Sequence, residues 1–84
     1  MPYSVEYLPS AQKQLDALTG DIHGHISAAV DDLEDNPRPL GCKKLKGRDE
    51  YRIRVGDYRV VYEIYDDVLI VLIVRIAHRR EVYK

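Results

Sequence analysis

The sequence predicts an α+β fold in which an N-terminal strand, an α-helical hairpin and a three-stranded antiparallel meander form one sheet with the helices packed on one face. Three observations carry that prediction. Two alternating runs of β-branched and aromatic residues, Tyr51–Val55 and Tyr58–Ile64, meet at Gly56-Asp57, and a two-residue Gly-X connection between such runs signals a β-hairpin with a II′-type turn. Apolar residues recur at helical spacing through Leu8, Ala11, Leu15 and Leu18, and again through Ile22, Ile26, Ala29, Val30 and Leu33. Val68 to Ala77 is apolar at nearly every position, as expected of a central strand covered on both faces.

Taken in order, Tyr3 to Tyr7 alternates Tyr, Val and Tyr with Ser and Glu, the pattern of a short strand. Pro9 and Ser10 mark the start of the first helix, and Gly20 ends it. The second helix begins at Thr19 to Asp21 and stops at Asn36-Pro37, because a residue before proline is pushed out of helical geometry. So tight a connection makes the pair an antiparallel hairpin, each helix presenting one apolar stripe to the sheet. From Arg38 to Arg48 the chain reads as a basic loop, with Leu40 and Leu45 expected to pin it to the core. Asp66-Asp67 is expected to be a second tight turn.

With only Gly56 and Asp57 in the loop, Val55 falls opposite Tyr58, Arg54 opposite Arg59, Ile53 opposite Val60 and Arg52 opposite Val61. Side chains alternate across a strand, so Tyr51, Ile53, Val55, Tyr58, Val60 and Tyr62 share an apolar face. Arg52, Arg54, Arg59 and Glu63 share the other. Like charges directly opposite one another destabilise a sheet. Two readings stand: a solvated outer face on which long side chains splay apart, or an anion site built from guanidinium forks that match phosphate oxygens.

Eighty-four residues suffice for one small domain, expected to span 1–84. The net charge of −1 conceals a division: residues 1–37 carry one basic side chain, Lys13, against seven acids, whereas residues 38–84 carry twelve basic and seven acidic side chains. A segregated basic half can hold a polyanion although the total is near neutral. Cys42 is alone, so no intramolecular disulfide forms and a reducing cytoplasm fits best. The N-terminus lacks the regions of a signal peptide, and the run Val68 to Val74 is too short to cross a bilayer as a helix, so no membrane partner is expected. His23 and His25 lie two apart rather than at the helical spacing of a ligand pair, and the acids Asp31, Asp32, Glu34 and Asp35 lack the glycine and spaced ligands of a calcium loop. They read as surface residues, and no metal or other cofactor is implied.

The order of strand, helical hairpin, basic KKLKG, YRIRVGDYRVVYEI, apolar strand and closing HRREVY resembles the RelE branch of the RelE/ParE toxins of prokaryotic toxin-antitoxin pairs, over essentially the whole chain. The resemblance implies a RelE-like domain that enters the ribosomal A site and cleaves the message there by attack of the ribose 2′-hydroxyl, leaving a cyclic phosphate. It implies inhibition by a cognate, RelB-like antitoxin that wraps a segment around the toxin, which when free is expected to be monomeric. By the same resemblance Arg52, Arg54 and Arg59 surround the scissile phosphate, Arg79 serves the leaving group and Tyr83 stacks on or orients the nucleotide. Lys43, Lys44, Lys46 and Arg48 fall where RNA backbone is contacted. Relatives carry lysine where this chain has Arg52 and Arg54. Arginine does not give up its proton, so these two are cast as electrostatic clamps, and Tyr83, Glu63 and His78 are the candidates for proton transfer. Two alternatives stand beside this one: a ParE-like toxin that poisons DNA gyrase without cutting RNA, and a homologue that has lost activity.

Overall fold

The computed structural model describes residues 2–47 and 49–82, the side chains of residues 81 and 82 excepted. The chain runs β1 (Ser4–Tyr7), α1 (Pro9–Asp16), α2 (Asp21–Asp32), β2 (Lys43–Lys44), β3 (Glu50–Val55), β4 (Tyr58–Tyr65), β5 (Ile70–His78) and α3 (Arg79–Val82). The strands form one sheet in the order β1-β5-β4-β3-β2. Three ladders are antiparallel, and β1 pairs with β5 in parallel.

The hairpin has the expected register, from Glu50 opposite Glu63 to Val55 opposite Tyr58. Gly56 has φ +58° while Asp57 stays outside the left-handed region, the pattern of a II′ turn. Ile53, Val60 and Tyr62 are buried, with Tyr51, Val55 and Tyr58 packed around them. The helices supply Ala11, Leu15, Ile26, Val30 and Leu33, and β5 supplies Val71, Ile73 and Ile76. Each helix thus buries a single stripe, as its spacing requires.

Several elements depart from expectation. Helix α1 stops at Asp16, and Gly20, at φ +71°, turns the chain into α2. Helix α2 ends at Asp32, short of Pro37; Leu33, Glu34 and Asp35 instead donate to carbonyls three residues back, at 3.0, 3.1 and 3.2 Å. Acidic residues crowd that terminus, where the helix dipole disfavours them. The turn between β4 and β5 runs through residues 66–69 and closes on Leu69 at φ +54°, so it is longer than a two-residue Asp-Asp turn. Leu40 does not pin the loop. It is fully exposed, at 105 %, while Leu45 is half-buried. Among the described residues no helix is long and apolar enough to cross a membrane.

The β4–β5 ladder contains a bulge. Tyr62 faces Ile73 but Val61 faces Arg75, so Val74 is an extra residue in β5. Because the side-chain period of a strand is two, one inserted residue exchanges the faces of everything beyond it. Val71 and Ile73 on one side of the bulge and Ile76 on the other therefore all reach the core. Beyond Tyr7, β1 has left the sheet, and the backbone N–H of Ile76 donates instead to Gln14 Oε1 of α1 at 2.7 Å.

A polar latch ties the ends of the sheet together. Arg38 makes two hydrogen bonds to Asp66, at 3.2 and 2.9 Å, and lies 5.3 Å from the centroid of the Tyr51 ring. Tyr3 donates to the same carboxylate at 2.6 Å. Arg38 and then Tyr3 hold the Asp66 carboxyl below its usual range. Tyr62 donates its hydroxyl to the Pro37 carbonyl at 2.7 Å, and burial together with nearby Cys42 pushes its ionisation well above the ordinary tyrosine range.

Candidate nucleic-acid interface on the open face of the sheet

The helices cover one face of the sheet. On the other, the ladder registers sort the side chains into cross-strand rows. One row reads Lys43, Arg52, Val61, Arg75 from β2 to β5. The next, toward the hairpin tip, reads Arg54, Arg59, Ala77. The row on the far side reads Glu50, Glu63, Leu72 and then Glu6 of β1. Neighbouring strands lie about 4.8 Å apart, so the first two rows form a cationic band roughly 14 Å wide at the backbone, bordered by carboxylates.

The solvated-face reading fits only part of this band. Arg52 is 9 % exposed and Arg59 3 %, and both are held by interactions within the chain, whereas Arg54 is exposed. Two of the hairpin guanidinium groups are thus ordered within the face rather than splayed into water. Beside them a cavity of about 350 Å³ is lined by Leu40, Gly41, Lys43, Arg52, Ile53 and Arg54. A recess lined by buried Arg52 and exposed Lys43 and Arg54 suits an anion that fits between the strands and the 39–41 turn.

The remaining expected residues distribute unevenly. Arg79 begins α3, and its backbone N–H donates to the Asp57 carbonyl at 2.8 Å, anchoring it at the hairpin tip one pair beyond Arg54 and Arg59. Glu63 lies on the cationic face but in the carboxylate row, where it accepts a hydrogen bond from Tyr65 at 2.6 Å. His78 pairs with Tyr58 and shares its face, the helix side of the sheet. Its ring meets Tyr58 edge-on at 5.4 Å, and its Nδ1 accepts from the Arg80 backbone N–H at 3.3 Å. The sheet therefore separates His78 from the arginines. Lys43 stands next to Arg52, while Lys44 pairs with Tyr51 on the other face and lies 3.8 Å from Asp49. Lys46 is exposed in the turn that follows. Arg48 and Tyr83 lie outside the described residues.

Sequence reasoning missed Arg75. Read with unbroken alternation, Arg75 shares a face with Val71 and Ile73 and belongs to the core. Only the bulge at Val74 brings it opposite Val61, two strands from Arg52. A lone charge in an otherwise apolar run was the available signal.

A five-stranded sheet with a helical hairpin on one side and a band of arginines on the other defines a small α+β domain with one cationic face. The family model for the ParE toxin of type II toxin-antitoxin systems, parDE, matches residues 5–83, and the chain belongs to that family. It is 34% identical to toxin RelE3 of Methanocaldococcus jannaschii over 84% of each chain, and 32% identical to toxin RelG of Mycobacterium tuberculosis over 100% of this chain and 99% of RelG. Among solved structures it resembles the archaeal RelE-RelB complex from Pyrococcus horikoshii, with a TM-score of 0.84 and 30% identity over 94% of this chain and 97% of that one. The toxin-antitoxin complex RelBE2 from Mycobacterium tuberculosis superimposes with a TM-score of 0.82 at 29% identity, covering 94% of this chain and 100% of the other. The protein is a RelE-type toxin of a type II toxin-antitoxin system.

Proposed function

We propose that this toxin is a ribosome-dependent endoribonuclease that cleaves message in the A site by attack of the 2′-hydroxyl on the adjacent phosphate, without a metal ion. The observation that carries the proposal is the pair of adjacent rows, Lys43-Arg52-Val61-Arg75 and Arg54-Arg59-Ala77, on the face that the helices leave open. The pentavalent phosphorane formed by internal attack carries more negative charge than the diester it replaces. Pre-ordered guanidinium groups act on that difference, and one such donor is worth roughly 10²- to 10³-fold in rate. Arg52, Arg54 and Arg59 clamp the phosphoryl oxygens, Arg79 stabilises the departing 5′-oxygen, and Lys43, Lys46 and Arg48 hold the flanking backbone.

Arginines transfer protons poorly. The 2′-hydroxyl proton must leave by another route, and Tyr83, which the RelE resemblance assigns to the nucleotide, is the candidate. Glu63 is separated from the Arg54–Arg59 pair by the row that holds Arg52, and His78 by the thickness of the sheet. This poverty of bases accounts for dependence on the ribosome, which supplies the in-line geometry of the message.

The toxin acts in the cytoplasm, is monomeric when free and is silenced by a RelB-like antitoxin encoded beside it; the RelB-RelE complexes among its structural relatives support the antitoxin. The competing reading, a gyrase poison, is favoured by the ParE family match. A reconstituted translation reaction with mapped 3′ ends separates the two. Cuts within the A-site codon that disappear in Arg59→Ala and Tyr83→Phe support the nuclease, whereas intact message with inhibited supercoiling supports the gyrase poison and overturns it.

A further inference from the structure

We infer that Arg75 is a phosphate-binding residue, and that the single-stranded RNA backbone crosses the strands from β2 to β5 along the row Lys43-Arg52-Val61-Arg75. The inference rests on the nuclease reading and adds a position and a direction to it.

The argument begins with the bulge. Were the Tyr62–Ile73 register continued without it, Val61 would face Val74 and Val60 would face Arg75. Val60 is fully buried beneath the helices, so the guanidinium would enter the core. Ile76 would then turn outward among the arginines. The extra residue at Val74 reverses both outcomes: Ile76 is 3 % exposed in the core and Arg75 is exposed on the cationic face. On the β1 side of β5, where β1 has left the sheet beyond Tyr7, α1 supplies an acceptor, Gln14 Oε1, to the Ile76 N–H at 2.7 Å. Arg75 is therefore held from behind the sheet by a side chain that does not itself reach the cationic face.

The placement sets a direction. Arg52 and Arg75 are separated by Val61 alone, so their backbones stand about 10 Å apart across two strand spacings, with Lys43 one spacing beyond Arg52. A small, buried valine between two cations leaves the middle of the row level enough for a sugar-phosphate chain to pass from one to the other. The carboxylate row of Glu50 and Glu63 closes one side of that path by repulsion, and the Arg54–Arg59 pair lies along the other. A backbone running parallel to the strands would instead cross from cations onto carboxylates.

The test is binding of a 2′-O-methyl single-stranded RNA, which resists internal cleavage, to the intact protein by fluorescence anisotropy across a series of salt concentrations. Each phosphate neutralised on a single strand contributes about 0.7 to the slope of log K against log salt. The expected result is a slope lowered by about 0.7 in Arg75→Gln, restored in Arg75→Lys and unchanged in Lys13→Gln on the helical side. Far-UV circular dichroism on the same samples identifies a variant that has not folded; Arg75→Met, which removes the charge and keeps the length of the side chain at this exposed position, then decides in its place. A wild-type slope that survives intact in folded Arg75→Gln overturns the assignment of Arg75 and leaves the nuclease reading standing. A wild-type protein with no salt-dependent RNA affinity overturns the proposed path, while the nuclease reading falls only if mapped cuts on programmed ribosomes are also absent.

Discussion

Replacing Arg54 by glutamine should stabilise the fold while crippling the toxin. Arg54 and Arg59 face each other across β3 and β4, and directly opposed side chains place their Cβ atoms about 5 Å apart. Like charges so placed cost roughly 0.2–1 kcal/mol. An unfolding entropy of about 2.1 cal/mol/K per residue, taken over 84 residues, converts that range into a rise in Tm of about 1 to 6 °C. Arg54 is exposed, so neither a cavity nor a buried unpaired group offsets the gain. The repulsion is also screened: at 0.1 M salt the Debye length is about 10 Å, and at 1 M about 3 Å.

The assay is therefore thermal unfolding of wild type and Arg54→Gln at both ionic strengths, paired with message cleavage on programmed ribosomes. The variant should melt higher at low salt, the difference should shrink in 1 M salt, and cleavage should fall roughly 10²- to 10³-fold. A lower Tm at low salt, or a gain indifferent to salt, would refute the claim that the pair is held at an electrostatic cost. Near-normal cleavage in a stabilised variant would show that the cost does not serve catalysis.

Three further outcomes follow from individual contacts. Tyr62→Phe removes the donor to the buried Pro37 carbonyl, which should cost about 1–3 kcal/mol in denaturant-monitored unfolding; a loss below 0.5 kcal/mol would mean that another donor takes over. Gly56→Ala places a Cβ at φ +58° with Ile22 Cδ1 at an ordinary 3.7 Å, so backbone strain alone sets an expected loss of about 1–2 kcal/mol, and Gly56→Asn should lose less. Asp66 has its folded-state pKa lowered by Arg38 and Tyr3, so its contribution is present above the ordinary carboxylate pKa of about 3.9 and disappears as pH falls through the lower folded value. Melting curves of wild type and Asp66→Asn should accordingly converge as pH drops below about 4, and a gap that stays constant between pH 2 and 6 would contradict the linkage.

What could be read from the sequence was what short-range chemistry dictates. The hairpin register follows from Gly56-Asp57 and from alternation on both sides, and every pair from Arg52–Val61 to Val55–Tyr58 stands where those residues require. The helices were legible from their apolar stripes, though not their ends, because capping and dipole effects act over a few tenths of a kcal/mol to about one. Strand β2 was not legible. Lys43-Lys44 has no strand propensity of its own and becomes extended by pairing with Arg52 and Tyr51, a tertiary event. The parallel pairing of β1 with β5 is likewise a contact between residues more than sixty positions apart. Leu40 was misread because hydrophobicity predicts burial only on average, and the turn closed by the Cys42 N–H on the Pro39 carbonyl at 3.0 Å, with Gly41 at φ +91°, holds it outward.

The deeper failure of pattern reading lies in β5. A run apolar at almost every position looks like a strand buried on both faces, and the single arginine within it looks like a blemish. The fold shows the opposite logic. Burial demands Val71, Ile73 and Ile76 on one side, a spacing of two followed by three that no regular strand satisfies. Either Ile76 is given up to solvent and Arg75 is driven inward, or one residue is left outside the ladder. Leaving Val74 unpaired costs part of a ladder bond, whereas burying an unpaired guanidinium beside Val60 costs several kcal/mol. The bulge is thus the cheaper arrangement even before function is considered, and its by-product is a fourth strand's contribution to the cationic face. The arginine that broke the apolar pattern is the residue that specifies where the pattern must slip.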